Sequence, residues 1–176
     1  MYFSMPVIIV LTLNQNKMKK ILLFVAICAT AFVQQSFAQD TTNQKQLSQL
    51  LTSYYQVKDA LTEGNSNTAA QQAAAFLKTA NGISNRTISG GNRDALVKDA
   101  GIIFDSKDLK KQRAVFANFS TNMYAVAKSL KLTTEPIYYN YCPMKKAYWL
   151  SSDKAIKNPY YGSAMPTCGK VTETIQ

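Results

Sequence analysis

The chain contains no histidine among its 176 residues. A serine or cysteine nucleophile normally works beside a histidine base, so the common hydrolase sites are excluded. Imidazole-based zinc and copper(II) sites are excluded for the same reason. Acidic residues are also scarce, ten against twenty basic ones, and neither a paired-carboxylate arrangement nor a glycine-rich phosphate loop is present. The sequence therefore predicts a protein that is not an enzyme and has no catalytic residues.

Long apolar runs are confined to the N-terminus. Met18-Lys19-Lys20 precedes an apolar stretch at 21–32, and Ala38 ends a segment that suits signal peptidase. We expect residues 1–38 to be an N-terminal extension and signal peptide, cleaved near Ala38, and the mature protein to be periplasmic or secreted. No later segment has the roughly 18 apolar residues that a membrane-spanning helix needs.

The mature chain would run over residues 39–176, a length that suits a single domain. It keeps 17 of the 20 basic residues, because Lys17, Lys19 and Lys20 lie in the leader, and all ten acidic ones. Export and the lack of arginine-rich runs argue against a nucleic-acid partner. The excess of positive charge favours a soluble basic protein, or attraction to an acidic partner or an anionic membrane surface.

Four helices are predicted between residues 39 and 132, at 44–63, 68–80, 94–103 and 107–131, because apolar residues recur there at spacings of three and four. The seam of the first helix is Leu47, Leu50, Tyr54, Val57 and Leu61. The seam of the last is Leu109, Gln112, Phe116, Phe119, Met123, Val126 and Leu130. The short connections favour an antiparallel bundle of about four helices.

Two finer predictions concern the middle of this bundle. The second helix is expected to pack through the small-residue face formed by Ala70, Ala73, Ala74 and Leu77. Asp105 or Ser106 is expected to cap the fourth helix, since both residue types accept hydrogen bonds from free N–H groups.

Residues 133–176 have a different composition. Pro136 breaks the helical pattern, and the run Ile137–Tyr141 is rich in strand formers, as is 147–150. Alternation places Ile137, Tyr139 and Tyr141 on one face and Tyr138, Asn140 and Cys142 on the other. A turn is predicted at 158–162. The predicted fold class is therefore mainly α, a bundle with a small C-terminal aromatic, cysteine-containing lobe of short β segments.

This lobe concentrates the sulfur chemistry of the mature chain. Cys142-Pro143-Met144 is mirrored by the run from Met165 to Cys168. Spacings of two in a strand and three in a turn place each pair on one side. Thiolates together with thioethers are the soft ligands that Cu(I) prefers. The sequence therefore predicts a Cu(I) site formed by Cys142, Met144, Met165 and Cys168.

A disulfide between Cys142 and Cys168 is the competing interpretation. Export would place both residues in an oxidising compartment, where disulfides persist. Such a bond would stabilise the lobe by about 3 kcal/mol, in a structural or protein-interaction module with a tyrosine-rich surface. A thiolate ligand cannot also be half of a disulfide, so the same two cysteines would bind metal when reduced and crosslink when oxidised.

A longer pattern around the sulfurs resembles a known bacterial family. It comprises Tyr141-Cys142-Pro143-Met144, Ala147-Tyr148-Trp149-Leu150-Ser151, the run 156–162 and the segment from Met165 to Ile175. On this pattern the chain resembles the family catalogued as domain of unknown function 3347, closely over 138–175 and loosely over the helices. Cys-Pro-Met is also similar to short heavy-metal-binding segments that continue with histidine, where this chain has Lys145.

The resemblance implies an exported protein. Members of that family also occur fused to periplasmic adaptor subunits of heavy-metal efflux pumps, which implies copper or related metal handling. We therefore expect the partner to be a periplasmic efflux adaptor or another exported protein.

Overall fold

Four helices and a three-stranded sheet follow one another in the computed structural model, which describes residues 41–176. The helices are α1 at 41–63, α2 (Ser66–Gly82), α3 (Gly90–Asp105) and α4 (Leu109–Ser129). The strands are β1 (Ile137–Cys142), β2 (Ala147–Ser151) and β3 (Lys170–Ile175). The predicted fold class, a four-helix bundle with a small C-terminal lobe of β segments, is confirmed.

The predicted leader and its cleavage point at Ala38 lie outside the described residues and stay predictions. Residues 42–176 form one compact unit. Within the described part of the chain, no helix is both long enough and apolar enough to cross a membrane.

The predicted seams of α1 and α4 meet in the bundle core. All five seam residues of α1 are buried, as are five of the seven in α4, with Leu109 and Leu130 half-buried. The centre is aromatic: the rings of Tyr54 and Phe116 lie 5.5 Å apart, and those of Phe76 and Phe119 lie 4.7 Å apart. Each such ring buries a large apolar area, so this cluster contributes strongly to the stability of the bundle.

The packing face of α2 differs from the predicted one. Ala69, Ala73, Phe76 and Ala80 are its buried residues, so of the predicted face Ala73 is buried and Leu77 packs half-buried against the core. This helix carries alanine on several of its sides, so alanine alone does not decide which side faces the core. The bulky Phe76 does, because it packs edge-on against Phe119. The prediction was wrong because it weighted several small side chains over one large one.

The cap of α4 also differs from the predicted residues. Asp108, rather than Asp105 or Ser106, is the N-cap, and its carboxylate accepts from the backbone N–H groups of Lys110 and Lys111 at 2.8 and 3.4 Å. The polar seam residue Gln112 is fully buried, and its amide donates to the carbonyl of Ser106 at 2.7 Å. Gln112 thus ties α4 to the connection that follows α3.

The lobe is an antiparallel sheet with the strand order β2-β1-β3. Asn140 of β1 pairs with Trp149 of β2, and Tyr139 pairs with Leu150, so the predicted alternation of faces is confirmed. Strand β3 was not predicted, although 171–175 alternates in strand-forming residues. One face of the sheet lies against the bundle, and Trp149 on the other face packs against Tyr160 of the following loop.

Tyr54 joins the sheet to the bundle. The backbone N–H of Leu150, on the edge strand β2, donates to the Tyr54 hydroxyl at 3.1 Å. The same hydroxyl shares a hydrogen bond of 2.7 Å with Ser120 of α4. Nearby, Tyr124 of α4 stacks on Tyr139 of β1 with ring centroids 3.9 Å apart. These contacts hold the sheet in a defined orientation on α4.

Candidate functional site

The two cysteines of the lobe meet at one end of the sheet. Cys142 is the last residue of β1, and Cys168 lies two residues before β3. Because the central strand β1 is antiparallel to β3, with Tyr141 opposite Lys170, the end of β1 lies beside the start of β3. The Sγ atoms of Cys142 and Cys168 are 3.9 Å apart, and both residues are free thiols. The predicted pair is thus brought together.

The surroundings of the two sulfurs are unequal. Cys142 is fully buried, whereas Cys168 is half-buried. The side-chain amide of Asn158 donates to Cys142 Sγ at 3.2 Å and to the Cys168 carbonyl at 2.6 Å. Cys168 is therefore the thiol through which an ion or oxidant reaches the pair.

Burial raises the pKa of the Cys168 thiol, and the neighbouring Cys142 sulfur raises this pKa further. The nearby Met144 backbone acts in the opposite direction on this pKa, but the net shift is upward. Cys168 is consequently a neutral thiol at pH 7, and any metal ion that it binds must displace its proton.

The two predicted methionines flank the pair with their side chains in solvent. Met144 lies in the turn between β1 and β2 and is 62% exposed, while Met165 is 38% exposed. The backbone of Met165 is tied to Cys168, because its carbonyl accepts from the Cys168 N–H at 3.3 Å. Both methionine side chains are thus accessible to solvent, whereas Cys142 is fully buried.

The loop that carries Cys168 depends on a glycine. Gly169 has a φ of +151°, and a Cβ built there would lie 2.7 Å from a ring carbon of Trp149 and 3.0 Å from the Tyr141 carbonyl. A larger residue could not pass this close to the ring without displacing the chain. Gly169 therefore lets the loop lie against Trp149, which places Cys168 beside Cys142.

The predicted turn at 158–162 is confirmed and closes over this face of the sheet. The Asn158 side-chain oxygen accepts from the N–H of Tyr160 at 2.8 Å and of Tyr161 at 3.3 Å, and the Asn158 carbonyl accepts from Gly162 N–H at 2.9 Å. The sequence showed the turn but not that Asn158 touches both cysteine residues. Asparagine is common in turns. Its presence at position 158 therefore did not indicate a contact with the cysteines.

Comparison with known proteins places the helical part in a family. Residues 50–135 match the family model described as "Protein of unknown function (DUF3347)". Residues 50–135 belong to the DUF3347 family. The DUF3347 match ends before β1, so the closer resemblance expected over 138–175 and the fusion to efflux adaptors stay predictions. No curated protein and no solved structure shows significant similarity to the chain.

The end of the sheet that carries the two thiols is positively charged. Lys145 and Lys146 lie in the turn after Cys142, Lys170 begins β3, and all three side chains are exposed. The runs 143–146 and 162–170 that surround the thiols contain no acidic residue. The site therefore presents a cationic rim, which favours the approach of an acidic surface.

No group of three or more histidine, cysteine, aspartate and glutamate side chains is placed to hold a metal ion within residues 41–176. The predicted thioethers of Met144 and Met165, the sulfur side chains nearest in sequence to the two thiols, are the candidates for further soft ligands. This donor set does not suit magnesium or calcium, which need oxygen ligands.

Proposed function

We propose that the protein binds Cu(I) in the periplasm, with Cys142 and Cys168 as anionic ligands and Met144 and Met165 as supplementary neutral ligands. The observation that carries the proposal is the 3.9 Å separation of the two Sγ atoms in a site whose other candidate donors are thioethers. Sulfur donors of both kinds favour Cu(I) over zinc, which prefers thiolate with imidazole.

The spacing of the sulfurs fits one shared ion. Two thiolates that each lie about 2.3 Å from a metal, the length known for zinc, can be at most about 4.6 Å apart. The observed 3.9 Å falls within this limit. The cysteines would thus need little movement to share an ion, whereas the exposed thioethers have freedom to approach it or to leave.

The exposed thioethers and the cationic rim support a role in copper tolerance or in delivery to an efflux system. Met144 and Met165 are exposed to an incoming or departing ion, and thioethers bind Cu(I) without releasing protons. The rim formed by Lys145, Lys146 and Lys170 would attract an acidic partner. The proposed partner, a periplasmic efflux adaptor or another exported protein, rests on the family resemblance.

The test is a titration of the reduced protein with Cu(I) against a competing chelator. We expect one ion per chain, with binding abolished in the Cys142→Ser/Cys168→Ser variant and weakened in Met144→Leu/Met165→Leu. The matched control is Met123→Leu, because Met123 is fully buried in the bundle and distant in sequence from the lobe. Stoichiometry near zero, or equal affinity in the cysteine variant, rejects the proposal.

A structural disulfide module is the second candidate function, and the full burial of Cys142 favours it. Thiols 3.9 Å apart can be oxidised after small side-chain rotations, and the bond would staple β1 to the loop before β3. Thiol counting on protein isolated from the periplasm, with and without prior Cu(I) loading, separates the two functions. If copper protects the two thiols from oxidation, the result supports metal binding with redox gating. If copper does not slow their oxidation, the result supports a structural disulfide.

A further inference from the structure

Asn158 contacts both halves of the sulfur pair and is itself fully buried. Its Nδ2 lies 3.2 Å from Cys142 Sγ and 2.6 Å from the Cys168 carbonyl oxygen. The residue is 16 positions from one cysteine and 10 from the other along the chain, so one amide group bridges two distant segments.

The hydrogen bonds of the amide determine its orientation. Its oxygen accepts from two backbone N–H groups, those of Tyr160 and Tyr161, which cannot face an NH₂ group. Its nitrogen faces the carbonyl oxygen of Cys168, which can only accept. These three backbone partners determine which end of the amide is the nitrogen. The group that faces Cys142 Sγ is therefore an N–H donor.

The backbone of Asn158 is held as firmly as its side chain. Its N–H donates to the Pro166 carbonyl and its own carbonyl accepts from the Gly162 N–H, both at 2.9 Å. The first bond ties Asn158 to the segment that leads into Cys168. The Asn158 side chain is therefore fixed in position, and it holds the Cys168 loop at a defined distance from the end of β1.

We infer that Asn158 is the positioning residue of the two-cysteine site. By bonding to Cys142 Sγ and the Cys168 carbonyl at once, it sets the separation of the sulfurs before any ion binds. Outer groups that orient metal ligands commonly change metal affinity by about 10- to 100-fold when they are replaced. This inference rests on the proposed Cu(I) site and names a residue outside the ligand set.

Asn140 provides a matched control. It is also fully buried in the lobe and lies on the same face of β1 as Cys142. Among the described residues, neither polar atom of its side chain has a hydrogen-bond partner. Asn140→Ser therefore makes the same chemical change in the same lobe without removing a contact to a cysteine.

The experiment measures Cu(I) affinity by chelator competition in the reduced full-length mature chain, for the unaltered protein, Asn158→Ser and Asn140→Ser. Serine can still accept from the Tyr160 N–H in the turn, but it is too short to bridge the two cysteine segments. We expect Asn158→Ser to weaken binding by at least about tenfold. Asn140→Ser should change the Cu(I) affinity by less than about threefold, because Asn140 makes no hydrogen bond to either cysteine.

A second variant keeps the test decisive if Asn158→Ser does not fold. Asn158→Asp retains the oxygen that accepts from Tyr160 and Tyr161 but has no N–H for Cys142 or Cys168. It should weaken Cu(I) binding as Asn158→Ser does, while circular dichroism shows an unchanged helix content. Equal affinities for the Asn158 and Asn140 variants would overturn the inference.

A metal-independent readout separates this inference from the proposed function. In equilibrium with glutathione, the two thiols are oxidised to the Cys142–Cys168 disulfide while one glutathione disulfide is reduced to two glutathione thiols. Asn158→Ser should lower the equilibrium constant for this exchange several-fold, because the sulfurs are no longer held together, and Asn140→Ser should not. If the unaltered protein binds no Cu(I), the proposed function fails and this exchange alone decides the role of Asn158.

Discussion

The bundle and the lobe are held together in different ways. In the bundle, apolar side chains repeated at helical spacing bury one another, and an aromatic cluster around Phe119 lies at the centre of this core. In the lobe, single residues with specific geometry decide the structure: Asn158 through its hydrogen bonds, and Gly162 and Gly169 through their backbone conformations. A regular pattern can thus build the scaffold, whereas the sulfur site depends on individual positions.

The largest expected effect tests the bundle side of this comparison. Phe119→Ala removes a fully buried ring that packs on Tyr54 and Phe76, at 5.3 and 4.7 Å between centroids. We expect a loss of about 3–5 kcal/mol in the free energy of unfolding, measured with urea. Phe104→Ala is the control, since Phe104 is 48% exposed and its loss should be small. Similar losses for the two variants would contradict the assignment of the core.

The next effect tests the lobe side. Gly162 has a φ of +54°, and a Cβ there would lie 2.7 Å from the Thr62 carbonyl oxygen and 2.5 Å from the Arg113 guanidinium. Gly162→Ala should destabilise the protein by about 2–4 kcal/mol, from backbone strain and overpacking. In Gly101→Ala, within helix α3 and with open space around the added Cβ, we expect a gain of about 0.5–1 kcal/mol. If both substitutions changed the free energy of unfolding in the same direction, the proposed dependence of the lobe on single positions would be wrong.

A smaller effect tests the connection between the two regions. Tyr54→Phe removes the hydroxyl that accepts from Leu150 N–H and bonds to Ser120, leaving buried polar groups without a partner. We expect a loss of about 1–3 kcal/mol in stability. Tyr55→Phe, on the same helix, is the control. Amide exchange at Leu150 should increase in the Tyr54 variant only, and unchanged protection there would show that another contact holds the edge strand.

The smallest expected effect concerns pH. Hydrogen bonds from Lys128 and Tyr124 lower the pKa of the Glu173 carboxyl on β3. A lowered folded-state pKa means that Glu173 contributes stability above its ordinary pKa and loses it as the pH falls through the folded-state value. Glu173→Gln should therefore lower the melting temperature at pH 7 but not at pH 2. A difference between the two proteins that persists at pH 2 would argue against this linkage.

Sequence patterns predicted the parts of the molecule in which many residues carry the same signal. The α1 and α4 seams repeat over five and seven positions, so one irregular residue such as Gln112 did not obscure them. The face of α2 was wrong because alanines give a weak signal and the single Phe76 decides the rotation. The cap of α4 was wrong because three polar residues in close succession could serve, and Asp108 lies nearest the first turn.

The site was predicted only in part. The mirrored cysteines indicated a pair, and the structure places their sulfurs 3.9 Å apart. Strand β3, which brings Cys168 beside Cys142, pairs with β1 across 29 to 38 residues of sequence, and no local pattern specifies that register. The contact of Asn158 with Cys142 likewise depends on the path of the whole loop, so it could be seen only in the folded chain.

We propose that Cys142 and Cys168 hold one Cu(I) ion, with methionine sulfur as a supplementary ligand. X-ray absorption spectroscopy at the copper edge shows the ligands themselves, on mature protein loaded with one Cu(I) under reducing conditions. We expect a first shell of sulfur alone at about 2.3 Å, with fewer sulfur neighbours in Met144→Leu/Met165→Leu. A shell of nitrogen or oxygen, or the same sulfur shell after Cys142→Ser/Cys168→Ser, would contradict it.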